Sequence, residues 1–156
     1  SMLYINKEGK RAMSRQILKK ERIITDRLTL GSYRKEDRDR LAEMMRNPEI
    51  TATLMVPDYS EEVQFYALAD KLIEFSQIND TTHLEYGVYL DGYMIGFVND
   101  CGYDDEAIEL GYVIDPAFKG RGFATEAVNA VINELHEMGF KKVVAGFLKE
   151  ISAAEK

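Results

Sequence analysis

The chain has 156 residues, 46% of them apolar, which is enough for one domain with a buried core and too few for a second. Its single cysteine, Cys101, excludes an internal disulfide, and no stretch approaches the roughly 18 uninterrupted apolar residues of a membrane-spanning helix. We therefore expect a cytoplasmic protein without membrane contacts, in which an extension of residues 1 to 21 precedes one domain of residues 22 to 156.

The net charge of −7 hides an asymmetry along the chain. Residues 1 to 40 carry a net charge of +6, residues 41 to 118 one of −14, and residues 119 to 156 one of +1. The acidic middle disfavours binding to a nucleic acid, whose backbone is also negative, and favours a cationic partner. A solvated acidic surface without a partner would have the same composition, so both interpretations stay open.

The first half of the chain predicts one strand and two helices. Residues 3 to 21 mix basic and apolar side chains, which predicts a short amphipathic helix or an unstructured lead-in. The β-branched run from 23 to 30 predicts a first strand. Apolar residues at helical spacing from Lys35 predict a helix that ends at Asn47-Pro48, and a second helix follows. The apolar stripe of that second helix consists of Phe65, Leu68, Leu72 and Phe75.

The second half predicts a hairpin, a strand, a helix and a last strand. Residues 83 to 90 and 93 to 99 are joined by Asp91-Gly92, a strong signal for a two-residue hairpin turn. This order predicts an α/β fold with a mixed, largely antiparallel sheet and helices on both faces. The remaining predicted elements are a strand over 107 to 114 with a bulge at Gly111, a helix ended by Gly139, and a strand over 142 to 147.

A glycine-rich loop, Lys119-Gly120-Arg121-Gly122-Phe123-Ala124, lies between a predicted strand and the first turn of a helix. A helix start leaves backbone N–H groups unpaired at the positive end of the dipole, so it can hold a diphosphate. Gly120 and Gly122 let the backbone approach the anion, and Lys119 and Arg121 add positive charge. An ordinary glycine-rich turn before an amphipathic helix would have the same letters.

Two other nucleotide loops are excluded by their spacing. The dinucleotide pattern G-x-G-x-x-G fails at Thr125, and Lys141 and Lys142 stand where that fold expects an acidic ribose partner. The P-loop pattern fails because no Gly-Lys-Ser or Gly-Lys-Thr occurs in the chain.

Two separated blocks carry a family resemblance. The GCN5-related N-acetyltransferases (GNAT family) have an acetyl-CoA-binding core that resembles the run ELGYVIDPAFKGRGFATEAVNAVINELHEMGFKKVVAG. Their RimJ/RimL branch begins with a segment that is similar to ITDRLTLGSYRKEDRDRLAEMMRNPEI. The family loop has Arg or Gln, two variable residues, Gly, one variable residue, and Gly or Ala, which Lys119, Gly122 and Ala124 match except at the first position.

This resemblance implies an acetyl-CoA-dependent N-acetyltransferase that needs no metal. Backbone groups of Val113 and Ile114 would bond the pantetheine arm where two neighbouring strands splay apart. The thioester would reach through the splay toward a primary amine, which attacks directly without an acyl-enzyme. The diphosphate would be held by Arg121, Gly122, Phe123, Ala124 and Thr125.

The reaction asks for a base that removes a proton from the amine. On the strand 107 to 114, Glu109 faces away from Ile108 and Leu110, and it matches the glutamate that serves some relatives as the base. Glu85 and His83, on a neighbouring predicted strand, are further polar candidates. Two distant histidines and one cysteine give no metal-binding spacing.

The chain departs from the family at its end. Relatives continue past the strand 142 to 147 with another helix and two strands, so the resemblance implies a C-terminally short domain. Its last strand would then be an open sheet edge, which favours a homodimer. The acceptor stays open between a protein N-terminus and a small amine such as a polyamine or aminoglycoside, and a noncatalytic acyl-CoA-binding module is the alternative to an enzyme.

Overall fold

The computed structural model describes residues 3–5, 11–13, 19–52, 58–77 and 84–145. Two short strands, β1 (Leu3–Ile5) and β2 (Arg11–Met13), pair antiparallel as a separate hairpin. The helix or lead-in predicted for residues 3 to 21 is therefore wrong in these two segments. Basic residues between the apolar ones suggested a helix, but Tyr4 and Ile5 favour strands by their own propensity.

The main sheet has six strands in the spatial order β3-β4-β5-β6-β7-β8. All neighbours pair antiparallel except β7 and β8, which are parallel. The mixed, largely antiparallel sheet is thus confirmed. The strands are β3 (Arg22–Ile24), β4 (Thr29–Gly31), β5 (Glu85–Leu90), β6 (Tyr93–Tyr103), β7 (Ala107–Ile114) and β8 (Lys142–Ala145).

Four α-helices lie in the described ranges, and both predicted helices of the first half are confirmed. Asn47 ends the first, and Pro48 then starts a short helix because proline suits a first helical position. The Asn47 side chain caps that short helix by accepting the N–H of Glu49 at 3.0 Å. The helices are α1 (Arg38–Arg46), α2 (Pro48–Thr51), α3 (Glu62–Gln77) and α4 (Phe123–Glu137). None of the described helices is long and apolar enough to cross a membrane.

Apolar side chains pack on both faces of the sheet. One face packs against α4, with Leu110 and Val131 fully buried between them. The other packs against α1 and α3, with Leu41 and Ile73 in its core. Helices on both faces are therefore confirmed, and β5 in the middle of the sheet is buried along nearly its whole length.

The predicted first strand over 23 to 30 is in fact a tight hairpin, β3 and β4. Thr25 makes the turn, since its N–H donates to the Leu28 carbonyl at 2.9 Å and its Oγ1 accepts the Leu28 N–H at 3.0 Å. A threonine hydroxyl that bonds the nearby backbone competes with a strand ladder. Strand propensity alone did not distinguish one strand from two.

The bulge predicted at Gly111 lies instead in the neighbouring strand. Gly111 pairs regularly with Asn99, and the register shifts between Asp100 and Gly102, which places the extra residue at Cys101. Gly111 is needed for space, because a Cβ there would lie 2.9 Å from Asn99 Oδ1 and 2.9 Å from Cys101 Sγ. Cys101 is an exposed residue of β6.

The buried face of α3 is not centred on the apolar residues predicted to form it. Ala69, Ile73 and Ser76 are buried, whereas Phe75 is 39% exposed. Ser76 takes a buried position because its Oγ accepts the Tyr33 N–H at 2.9 Å, which satisfies a backbone group that no apolar side chain could. A hydrogen bond thus helps to decide which face of α3 is buried, and apolar periodicity contains no information about it.

Candidate active site

The loop between β7 and α4 starts with a turn and ends with two glycines in a left-handed conformation. Asp115 Oδ1 accepts the Ala117 N–H at 2.9 Å and so begins a 3-10 turn, Pro116–Phe118. Gly120 and Gly122 both have φ of 79°. A side chain is strained at this φ, which explains why both positions are glycine. The loop can thus reverse direction within a few residues and deliver the chain into α4.

The N-terminus of α4 has no side-chain cap. Gly122 is the residue before the helix, and among the described residues no side chain accepts the first N–H groups of α4. Thr125 Oγ1, in the first turn of the helix, is buried and has no hydrogen-bond partner among the described residues. Backbone donors at a positive helix end, together with an unpaired hydroxyl, fit a bound diphosphate.

Positive side chains surround this loop. Lys119 and Arg121 are exposed, and the Arg121 guanidinium lies 4.9 Å from the centre of the Phe123 ring. The structure adds Arg27, whose Nη1 donates to the Arg121 carbonyl at 2.8 Å. Arg27 lies in the β3–β4 turn, far along the chain from the loop, so no pattern within the loop predicts it. Glu126, in the first turn of α4, was the only signal that a cation would be needed nearby.

Glu126 binds the β3–β4 turn to the head of α4. It forms an ion pair with Arg27 Nε at 2.7 Å and accepts the Thr25 hydroxyl at 2.5 Å. Burial pushes the pKa of the Glu126 carboxyl upward, but the hydrogen bonds from Thr25 and Arg27 outweigh it, and the net pKa is lowered. Glu126 therefore stays ionised in the fold.

A second ion pair fixes the other end of the loop. Arg40 of α1 pairs with Asp115 at 2.5 Å, and its Nε donates to the Met94 carbonyl at 2.9 Å. Both side chains are largely buried, at 12% and 15% exposure. Burial pushes the pKa of Asp115 upward, whereas the Ala117 N–H and Arg40 push it down, and the net pKa is lowered. The loop is thus anchored at its entry by Asp115 and at its exit by Glu126.

β7 presents Glu109 and Val113 on the sheet face that α1 and α3 share. Val113 packs in the α1–α3 core, whereas Ile108 and Leu110 pack against α4. Glu109 alternates with those two and is exposed, as predicted. A residue that faces solvent on this side can act on a group bound near the strand.

The two residues predicted to bond the pantetheine arm, Val113 and Ile114, direct their backbone groups to opposite sides of β7. The Val113 carbonyl oxygen lies so close to Gly96 of β6 that a Cβ at Gly96 would overlap it, and the Asp115 N–H donates to Ile95 of β6 at 2.7 Å. Successive residues of a strand point their backbone groups to opposite sides. Ile114, between these two, therefore directs its backbone toward the β8 side.

The paired part of β7 and β8 covers residues 107 to 110 and 142 to 145. Residues 146 and 147, the predicted end of the last strand, lie outside the described residues. The splay of these two strands therefore stays a prediction.

Glu85 is buried rather than exposed on its strand. Its Oε1 accepts the Tyr33 hydroxyl at 2.6 Å, and the side chain lies between the sheet and α3. Burial raises the pKa of the Glu85 carboxyl to about 8, although the hydrogen bond from Tyr33 acts in the opposite direction. Glu85 is therefore largely protonated at pH 7. His83 lies outside the described residues.

Lys19 packs beside Glu85. The domain's contacts therefore include a residue that precedes the predicted boundary at residue 22. Its Nζ donates to the Ser76 carbonyl and to Ser32 Oγ, the latter at 3.1 Å. Burial lowers the pKa of Lys19, while the nearby Glu85 acts to raise it. The two groups form one buried polar cluster with Tyr33.

Carboxylates gather around Cys101. Burial raises the pKa of its thiol, and the negative charges of Glu109 and Asp100, with that of Glu85 when it is ionised, raise it further. Cys101 thus stays a neutral thiol. Among the described residues no group of three His, Cys, Asp or Glu side chains could hold a metal ion.

Comparison with known proteins identifies the family. A sequence model of the acetyltransferase (GNAT) domain matches residues 27 to 154. The chain belongs to the GNAT acetyltransferase family. The uncharacterized N-acetyltransferase p20 of Bacillus licheniformis is 26% identical to it over 118 residues, which are 72% of this chain and 65% of that protein. The chain thus spans less than two thirds of the length of this GNAT relative.

Solved GNAT structures share the fold. RimL, a ribosomal L7/L12 alpha-N-protein acetyltransferase, superposes with a TM-score of 0.66 at 14% identity, covering 92% of this chain and 78% of RimL. MccE, a microcin C7 self-immunity acetyltransferase in complex with acetyl-CoA and AMP, has a TM-score of 0.65 at 19% identity, covering 83% and 76%. At such identities the similarity shows the GNAT fold alone.

Proposed function

We propose that this GNAT domain transfers the acetyl group of acetyl-CoA to a primary amine. The observation that carries the proposal is the uncapped start of α4 behind Gly122, where backbone N–H groups, the unpaired Thr125 hydroxyl and the cations Lys119 and Arg121 meet. A diphosphate needs such a cluster of donors and positive charge. The structure of MccE with acetyl-CoA supports this choice of ligand.

In this proposal Glu109 is the base and Ile114 positions the coenzyme. Backbone groups of Ile114 bond the pantetheine arm on the β8 side of β7. The amine nitrogen bonds to the thioester carbonyl carbon while the carbon–sulfur bond breaks. The amine proton passes to Glu109, directly or through water, and the departing thiolate takes a proton from solvent. The reaction needs one exposed carboxylate, Glu109, and forms no covalent enzyme intermediate.

A protein N-terminus is the acceptor that we favour. The fold similarity to RimL, whose name describes an alpha-N-protein acetyltransferase, supports it. An α-amine has a pKa of about 8, so a useful fraction is neutral at pH 7 and a weak base suffices. Glu109 is such a base.

A small polyamine or aminoglycoside is the second candidate acceptor. The carboxylates of Glu109 and Asp100 lie close enough to Cys101 to raise its pKa, and Glu85 adds to them when ionised. A cationic substrate would be attracted to this group of negative charges. The acidic middle of the chain, residues 41 to 118, adds to the same field.

Binding is tested by the change in melting temperature on addition of acetyl-CoA. At 100 times the Kd, a ligand stabilises the fold by about 2.7 kcal/mol, which corresponds to a rise of about 5 °C or more. We expect this rise in the wild type and none in Gly122→Glu, which places a carboxylate where the diphosphate binds.

Gly92→Glu is the matched control. Gly92 has φ of 82°, close to the 79° of Gly122, so both substitutions strain the backbone alike. Gly92 lies in the β5–β6 turn, where a Cβ would have no neighbour within 4 Å. Its variant should keep the rise in melting temperature.

The acceptor is tested by mass spectrometry on a panel of peptides with free N-termini, polyamines and aminoglycosides. Acetylated peptides would support the favoured acceptor, and acetylated small amines the second. Binding without acetylation of any amine would instead indicate a noncatalytic acyl-CoA-binding module. A wild type that does not bind acetyl-CoA would refute both kinds of function.

A further inference from the structure

Arg27 reaches from the β3–β4 turn to the loop in front of α4. Its Nε contacts Glu126 Oε1 at 2.7 Å, and its Nη1 donates to the Arg121 carbonyl at 2.8 Å. Its backbone N–H also donates to Glu126 Oε2 at 2.9 Å. Two guanidinium nitrogens are thus held by two different parts of the loop and helix, which gives the group a fixed orientation.

The turn that carries Arg27 is itself fixed. Thr25 closes it through the hydrogen bonds with Leu28 described above, and the Thr25 hydroxyl also donates to Glu126. The guanidinium of Arg27 lies 4.4 Å from the centre of the Phe123 ring, so the ring supports it from one side. Such pre-organisation reduces the entropy lost when the group binds a ligand.

The third guanidinium nitrogen, Nη2, faces Gly122. It lies 3.3 Å from the position that a Cβ on Gly122 would take, and no described residue accepts a hydrogen bond from it. Gly122 also directly precedes the uncapped N–H groups at the start of α4. A free guanidinium N–H and free backbone N–H groups therefore converge at one place.

The charges at the start of α4 also favour a role for Arg27 in binding an anion. The Glu126 carboxylate in the first turn of α4 would repel a diphosphate bound at the start of that helix. Arg27 neutralises it, and the Arg121 guanidinium, 4.9 Å from the same Phe123 ring, leaves the group with a net positive charge. The head of α4 is thus cationic because Arg27 is there.

We propose that Arg27 is a coenzyme-binding residue, which donates Nη2 to the diphosphate of acetyl-CoA while Nε and Nη1 fix the loop. This inference rests on the proposed function of the loop. It adds a residue that is far along the chain from the glycine-rich loop to a site that the sequence predicts within that loop alone. The guanidinium fork is needed, because a lysine at position 27 could not hold Glu126, the Arg121 carbonyl and an anion together.

The test measures Kd by isothermal titration for CoA and for dephospho-CoA, which keeps the diphosphate and lacks the 3′-phosphate. We expect Arg27→Gln to raise Kd about ten-fold or more for both ligands, as loss of a charge-assisted hydrogen bond requires. The salt dependence of Kd should become shallower because one ionic contact is gone. Arg27→Lys should recover part of the affinity, since it keeps the charge without the fork.

Arg38→Gln is the control for the loss of an arginine as such. Arg38 pairs with Asp70 at 2.7 Å and lies 4.6 Å from the centre of the Tyr66 ring, and its side chain is 47% exposed against 46% for Arg27. It joins α1 to α3, away from the loop. Its variant should bind both ligands as the wild type does, whatever the change in its melting temperature.

Three results would overturn the inference. One is an Arg27→Gln protein that is folded by circular dichroism and binds CoA like the wild type. Another is a loss of affinity for CoA but not for dephospho-CoA, which would move the contact to the 3′-phosphate. The third is an unchanged salt dependence despite weaker binding, which would make Arg27 a purely structural residue. A wild type that binds neither ligand would remove the proposed function as well, and is recognised without any variant.

Discussion

Replacing Glu85 by glutamine should stabilise the protein at neutral and alkaline pH. Glu85 is 6% exposed and accepts a hydrogen bond from Tyr33, and its pKa is raised from 4.5 to about 8. Ionising it in the fold means placing a charge away from water, and Lys19, the nearby cation, offsets only part of that cost. Glutamine has the same shape, can accept the same hydrogen bond from Tyr33, and never ionises.

The size of the effect follows from the two pKa values. Each unit of difference between the folded and unfolded pKa corresponds to about 1.4 kcal/mol of folding free energy. Because the fold binds the proton more tightly, stability from Glu85 is highest below pH 4.5 and is lost as the pH rises to about 8. The loss is about 3 kcal/mol at pH 7 and about 4 kcal/mol at pH 8, and it approaches about 5 kcal/mol above pH 9.

The assay is urea unfolding of the wild type and Glu85→Gln between pH 5 and pH 9. We expect the free energy of unfolding of the wild type to fall over this range relative to the variant, with the difference levelling off above pH 8. Glu74, exposed on α3, provides the control, and Glu74→Gln should follow the wild-type profile. Parallel profiles for wild type and Glu85→Gln would refute a protonated, buried Glu85.

Two further variants test the active-site residues. Glu109→Gln should lower kcat about 100-fold or more while leaving the Kd of acetyl-CoA unchanged, because the side chain removes a proton and holds no coenzyme; an unchanged kcat would exclude it as the base. Arg40→Ala should lower the free energy of unfolding by about 3 kcal/mol at pH 7, because it leaves Asp115 buried without its cation. That deficit should shrink as the pH falls and Asp115 takes up a proton in the variant, and a pH-independent deficit would contradict the ion-pair explanation.

Much of the fold could be predicted because it depends on local patterns. Asp91-Gly92 marks the β5–β6 turn, and the strand over 107 to 114 was placed at its observed ends, since alternation and turn residues act within a few positions. The Gly120 to Gly122 loop was found for the same reason. Each of these features needs only neighbours in the sequence.

The errors arose where a distant contact decided the structure. Ser76, not Phe75, is buried on α3 because Tyr33 needs a hydrogen-bond partner. Glu85 is buried although its strand alternates, because helices cover both faces of β5. The bulge lies at Cys101, and Gly111 in the partner strand leaves the space that the Asn99 and Cys101 side chains occupy. Apolar periodicity contains no information on such pairs.

The sequence by itself determined the element order of the second half, the family, and the loop that begins α4, because each rests on spacing within one short segment. The homodimer predicted from an open strand edge stays a prediction. Only the tertiary structure brought Arg27 and Glu126 together at Gly122, Arg40 to Asp115, and the carboxylates around Cys101. Charges that are far apart in the chain meet only after the sheet has paired and the helices have packed on it, so their mutual fields exist in the fold alone.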